Sequence, residues 1–361
     1  MPAFPTIPGM ETSPKEVTRA VCASVSRMEG SVMDQLLAIR NDICAPEQTR
    51  VRSAFLYTSG WFVVWVEGSD KAVDTALKRA ADDKRNQHQK LLHRSRGPAT
   101  LRERVVVATT QTPMRATQFA RAIMHWKDQV AALEPQDIWN RLGAPCLIAD
   151  PHDPWTRPVQ QFALVAADEH GPVDQLRKIG EQFASPVIYQ RFGLARSHSP
   201  DLGMAYVDVP TAAGAARVRV MTRRALSQAS VRRSMPPVDA LVLLVGTRPA
   251  PAIELAASVA DAVKGAQHPP KVWLVGPPGE PTDACARLLH RCGVTPHIGP
   301  PDDDGHVKLA ALLPAIGLEA RGNSVCATPG TPPVAHVKRT DSGTAQAFLR
   351  SISMSTRNRF A

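Results

Sequence analysis

The chain has 361 residues, with 43 Lys+Arg against 33 Asp+Glu, a formal net charge of +10 and 43% hydrophobic residues. That is the balance of an ordinary globular protein, long enough to bury two separate cores. No apolar run approaches membrane-spanning length, and the 6 cysteines form no CxxC pair or regular framework, so reduced thiols fit better than disulfides. The start, MPAFPTIPGMETSPKE, lacks a basic segment followed by an apolar run, which sets the expectation of a cytoplasmic protein with no membrane partner. The positive excess is scattered through the sequence, and a solvated basic exterior explains it better than a nucleic-acid surface.

Taken in order, residues 1–14 are proline-rich and read as an irregular N-terminus. Val17–Ser24 alternates as a strand does, and residues 31–39 carry helical spacing, with Ser31 as cap and Asp34 at the third position. Val51–Arg85 is the organising stretch. Apolar residues crowd Ala54–Tyr57 and Phe62–Val66 around Thr58-Ser59-Gly60, which predicts a hairpin. Ala72, Val73, Ala76, Leu77 and Ala80 then recur at helical intervals, with Lys71, Asp74, Lys78 and Asp82 on the opposite, wet face. His88, His93, Arg94 and Arg96 read as a solvated basic turn, Val105–Thr109 as a further strand, and Thr117–Leu133 as a helix packed on the back of the sheet. Strand, helix, strand, strand, helix, strand is the ferredoxin-like split βαβ order, and it assigns residues 15–134 to one α+β domain.

Prolines among polar residues mark 135–158 as a linker. Beyond it come a buried strand at Gln161–Ala166, a helix at Val173–Phe183, strands at Met204–Val209, Ala216–Met221 and Asp239–Gly246, a helix at Ala252–Lys264, a strand at Lys271–Gly276, a helix at Asp283–Cys292 and a short strand at Thr295–Ile298. Apolar strands alternating with helices predict a parallel sheet covered on both faces, a three-layer α/β domain over 159–320. Residues 321–361 read as a partly disordered tail, with Ala345–Ser353 as a short docking helix. Cys285, His290, Cys292 and His297 fit no tetrahedral metal spacing; the cysteines recur at core periodicity, so no metal is expected. The densest positive feature, Arg217 and Arg219 through Arg223, Arg224, Arg232 and Arg233, lacks the interleaved aromatics of a nucleic-acid site. It reads as the exposed face of a strand and helix, open to an acidic protein surface.

Arg50–Tyr57 followed by Gly60-Trp61-Phe62 and Val66-Glu67-Gly68 resembles the central hairpin of the BLUF family of blue-light sensors, whose pattern is GITGxLxY…GxFxQxLEG. Arg79, Asp83 and Arg85 sit at the spacing of that family's R…D-P-R-H ending, with Lys84 and Asn86 in place of its proline and histidine, and LLHRSRGP at Leu91–Pro98 continues the likeness. The resemblance spans about Val17 to Gln111. It implies a flavin (FAD) held by a tyrosine, an asparagine, a glutamine and a nearby tryptophan. Gap-free placement puts Cys22, Pro46, Val64 and Val105 at those positions, with Arg85 at the family's arginine. A thiol, a proline ring and valine methyls do not supply an amide's donors and acceptor, so no flavin cofactor and no photocycle are expected; an FAD-binding light or redox sensor with an altered pocket is the alternative.

The second half is similar in layout to a small GTPase domain. Its phosphate-loop counterpart, Ala167 to Asp174, has no lysine or hydroxyl at its end; Thr211 follows Asp208-Val209-Pro210 where a D-x-P-G turn would have glycine; and Val275-Gly276-Pro277-Pro278 stands in place of a guanine-reading N-K-x-D. A domain lacking a P-loop is the expectation, with a nucleotide-binding switch as a further alternative. Together these readings describe a non-enzymatic regulator or scaffold with protein partners, including a homodimer through the sheet or the Thr117–Leu133 helix.

Overall fold

The structure is a computed structural model and describes residues 16–28, 30–44, 51–130, 132–148, 154–155, 158–167, 171–194, 202–211, 214–223, 226, 238–264 and 269–299. The expected tail helix, Pro46, Asp168 to His170, Arg224, Arg232 and Arg233 lie outside those residues. The first half runs β1 (Glu16–Ser26), α1 (Val32–Cys44), β2 (Val51–Thr58), β3 (Trp61–Gly68), α2 (Asp70–Asp82), β4 (Asn86–Pro98), β5 (Val105–Gln111), α3 (Ala116–Val130) and α4 (Pro135–Gly143). The second runs β6 (Gln160–Ala166), α5 (Gly171–Gln182), β7 (Ile188–Leu194), β8 (Leu202–Thr211), β9 (Gly214–Thr222), β10 (Ala240–Leu244), α6 (Pro249–Lys264), β11 (Lys271–Val275), α7 (Glu280–Arg291) and β12 (His297–Ile298).

Local chemistry accounts for the boundaries around the central hairpin. Ser59 and Gly60 both take positive φ, 50° and 77°, the conformation that a two-residue turn needs to match the twist of the strands it joins. Thr58 and Trp61 then pair directly and set the register of β2 on β3. The Ser69 side chain caps α2 by accepting from the Ala72 N–H, and the Asp34 N–H donates to Ser31 Oγ at 3.4 Å ahead of α1. Glu67, buried at the end of β3, accepts from the backbone N–H groups of Thr100 and Leu101 at 2.8 Å and fixes the connection from β4 to β5.

All strands belong to one 12-stranded mixed sheet in the order β12-β11-β10-β6-β9-β8-β7-β5-β2-β3-β1-β4. β6, β9, β10, β11 and β12 run parallel to one another, whereas β1, β2, β3 and β4 pair antiparallel and β5 joins β2 in parallel. The halves meet where β5 pairs antiparallel with β7. One face of the first half is covered by α1 and α2. The other carries α3 and α4, with Phe119, Trp126, Ile138, Trp139 and Trp155 in an apolar layer that continues into Leu243, Leu255 and Val272 of the second half.

Several expectations need correction. The polar segment around His88, His93 and Arg94 is the edge strand β4, not a turn, and His93 is buried with Nε2 2.8 Å from Ser95 Oγ. The stretch read as a linker contains α4, with Pro135 at its start and Ile138, Trp139 and Leu142 in the core. Asp208-Val209-Pro210 lies within β8 and forms no turn. Cys285 is buried, but Cys292 caps α7 and is exposed, so the seven-residue spacing does not place both in the core.

The largest revision concerns the arginines. Arg217 and Arg219 are 2% and 3% exposed, not a solvated face. Arg217 sits opposite Asp208 in the β8–β9 register and grips it with two bonds, Nε to Oδ1 at 2.6 Å and Nη2 to Oδ2 at 2.8 Å. It also donates to the carbonyls of Ala144 and Pro145 at 2.8 and 3.0 Å, and its guanidinium lies 3.9 Å from the Tyr206 ring centre. Tyr206 donates to the Pro145 carbonyl as well, at 2.9 Å. The segment leaving α4 is thereby bolted to the sheet through charge-assisted hydrogen bonds in which Arg217 and Asp208 answer each other. Removing one partner strands the other: Arg217→Met is expected to lose about 3–5 kcal/mol in urea unfolding, and the Asp208→Leu/Arg217→Met double variant to regain most of it.

Candidate functional site

The face under α1 and α2 is where the positions singled out by the family resemblance fall. Period-two alternation sends Ala20 and Cys22 of β1, Val64 and Val66 of β3, Phe55 of β2, and Val105 and Val107 of β5 to this face. Cys22 and Val64 are direct register partners on adjacent strands. The Cys22 thiol donates weakly to the Val64 carbonyl at 3.8 Å, and Gln89 Nε2 donates to its sulfur at 3.5 Å. Burial pushes that thiol up to about 12, against a smaller downward pull from the Gln89 hydrogen bond. It therefore stays protonated at neutral pH and is a poor nucleophile.

Around this pair the packing is apolar. Cys22 and Val64 cluster with Ala20, Val66 and Val73, the last from α2. Val105 clusters instead with Phe62, Val107, Leu36 and Ile39, the last two from α1. Phe55, itself partly buried, packs against both groups. Cys22, Val64 and Val105 are 2%, 8% and 0% exposed. Tyr57 and Phe62 add an edge-to-face pair on the same side, with ring centres 5.7 Å apart.

The structure thus brings Cys22 and Val64 together and sets Val105 on the same face two strands away. Arg85 does not join them. It follows α2, its guanidinium lies on the Asp83 carboxylate at 2.6 Å, and its carbonyl accepts from the Arg27 N–H at 2.7 Å. Burial alone would raise the Asp83 carboxyl, but hydrogen bonds from the Arg85 side chain and backbone outweigh it and hold that group below the usual carboxylate range. At the three described pocket positions the side chains offer one weak donor and four methyls.

The opposite face of the sheet carries polar groups that sequence reasoning missed. Tyr206 and Asp208 of β8 and Arg217 and Arg219 of β9 point to one side, toward the end of α4. The signal was present as alternation: in Arg217-Val218-Arg219-Val220 the valines enter the core under α5, so the arginines share the other face, which is also covered. Among the described residues no cluster of His, Cys, Asp and Glu is arranged to hold a metal ion, and no helix is long and apolar enough to cross a membrane.

No protein-family model matches the chain, and no curated protein is similar to it. Solved structures give partial matches. BlrB, described as a BLUF protein in its dark state, is 20% identical, with 27% of this chain and 74% of that chain covered, at a TM-score of 0.23. The photo-activated state of BlsA is 13% identical over 34% of this chain and 89% of that chain, at 0.21. A manganese/cyclic-di-GMP complex of Klebsiella pneumoniae BlrP1 is 9% identical over 82% of this chain and 78% of that chain, at 0.22. At such identities and TM-scores the likeness carries no argument about chemistry, which rests on the residues and their geometry.

Proposed function

We propose that this chain is a non-enzymatic regulator or scaffold acting through protein contact, built on a BLUF-like module whose flavin face is occupied by its own side chains. The observation that carries the reading is Phe55, which packs at once on the Cys22–Val64 cluster under α2 and on the Val105 cluster under α1. An aromatic ring there takes the room between the helices that a planar cofactor would need. The hairpin motif residues Tyr57, Phe62 and Glu67 meanwhile keep structural work, in ring packing and in fixing the β4–β5 connection.

The second half fits the same pattern of a kept layout and absent ligand chemistry. A run of parallel strands in the order β12-β11-β10-β6-β9, with β8 antiparallel at its side, supports a GTPase-like arrangement. The carboxylate that the motif would offer to magnesium, Asp208, is held inside the strand by Arg217. The expected lysine and hydroxyl after β6 are absent from the sequence. Two ligand-binding layouts without their ligand-reading residues leave surfaces as the working parts.

If the flavin face is packed, restoring the family's amide should be harmful. Val64→Gln buries an amide with no designed partner, so urea unfolding is expected to show a loss of about 1–3 kcal/mol; a neutral variant would mean that the face still has polar company to offer. The functional claim is tested by cross-linked capture from native extract with the full chain, in darkness and under blue light. The same discrete partner set in both conditions is expected. A light-dependent set would move the assignment to the sensor alternative, and no partner above background would contradict the scaffold reading.

A further inference from the structure

Arg219 poses a problem that its neighbour Arg217 does not. Its side chain is 3% exposed, and its Nη1 is fully buried without a hydrogen-bond partner. Among the described residues the carboxylate close by is Asp208, which already takes two bonds from Arg217. The buried groups on β8 and β9 therefore sum to one negative and two positive charges, leaving one cation unanswered. Burial works against that cation first and Arg217 second, pushing Arg219 down to about 9. A guanidinium nevertheless keeps its proton in proteins, so the site needs a counter-charge.

Arg219 lines a cavity of about 20 Å³ at the seam of the two halves, together with Leu56, Thr110, Trp139, Asn140, Gly143 and Gln190 among others. Among the described residues no carboxylate lines it. Its one crowded acceptor, the Gly143 carbonyl, is already taken by Thr110 Oγ1 and Gln190 Nε2, each at 2.7 Å. Asn140 accepts from Gln136 Nε2 through its Oδ1 at 2.9 Å, which leaves its NH₂ as the group to offer. Asn140 and Ala144 are partly exposed and form the way in. The cavity thus has a cation, the Asn140 NH₂ as a further donor and a doubly occupied Gly143 carbonyl, in a volume suited to roughly one water-sized occupant. Water would fill the space but leave the charge uncompensated.

We propose that the Arg219 cavity is a binding site for one small monovalent anion, with the bulk of chloride or of a formate-sized carboxylate. The anion would lie over the paired strands β5, which supplies Ala108 and Thr110, and β7, which supplies Gln190 and Phe192, so its binding would tighten the join between the halves.

The test is thermal unfolding of the full chain in sodium chloride, sodium formate and sodium isethionate at equal ionic strength. A saturable rise in Tm over isethionate is expected in chloride, in formate or in both, and the larger rise identifies a halide or a carboxylate as the preferred occupant. Arg219→Met should erase the difference between salts and unfold at a higher temperature than wild type in isethionate, because an unpaired buried charge has gone. Asn140→Leu, at the cavity mouth, should raise the half-saturating concentration about tenfold. Coincident curves in all three salts, or an anion dependence that survives Arg219→Met, would overturn the proposal. Should Arg219→Met not fold, chloride NMR line broadening on wild type decides: excess broadening that Asn140→Leu reduces supports the site, and equal broadening in both proteins refutes it.

Discussion

Antiparallel pairing of Val106–Gln111 with Tyr189–Leu194 makes one sheet from what would otherwise be two, and much of the molecule follows from it. Side chains alternate across a strand, so a fixed register decides which residues of each half share a face. With β5 and β7 locked, Thr110 and Gln190 both reach the Gly143 carbonyl at the end of α4. The next residues, Ala144 and Pro145, present their carbonyls to Arg217. The helix α4 and the segment after it are therefore tied to both halves by hydrogen bonds to main-chain oxygens. A slip of one residue in this pairing would put Thr110 and Gln190 on opposite faces and break their shared hold on the Gly143 carbonyl.

The two faces of the first half have diverged in character. The side under α3 and α4 is aromatic, with Trp126 and Trp155 ring centres 4.9 Å apart and Phe119 5.4 Å from Trp155. The side under α1 and α2 combines small and branched aliphatics with Phe55 and the Tyr57–Phe62 pair. Burying such side chains is worth on the order of 1.5–3 kcal/mol each. Packing of α1 and α2 onto this face of the sheet is thereby favourable through side-chain burial alone.

How much of this was legible in the sequence depends on what each residue contacts. The central hairpin and α2 could be read because one face is buried and the other wet, which leaves a clean periodic trace from Ala54 to Ala80. β4 left no such trace: it is an edge strand paired only with β1, and Gln87, Lys90, Arg94 and Arg96 dilute its pattern. β7 was hidden in the same way by Gln190, Arg191 and Gly193. α4 was mistaken for linker because prolines surround it, although Pro135 occupies the first helical turn, where proline is tolerated. Arg217 misled through its charge; only the β8–β9 register reveals that Asp208 stands across from it. Cys22, Val64 and Val105 were singled out by family resemblance alone, since nothing in their own chemistry marks a site.

The central claim, that the flavin face is closed by the protein's own side chains, is tested most directly by the visible absorption of the full chain after incubation with excess FAD and removal of free flavin. The account predicts no flavin band travelling with the protein and no spectral response to blue light. A stoichiometric bound-flavin band that changes on illumination would contradict it.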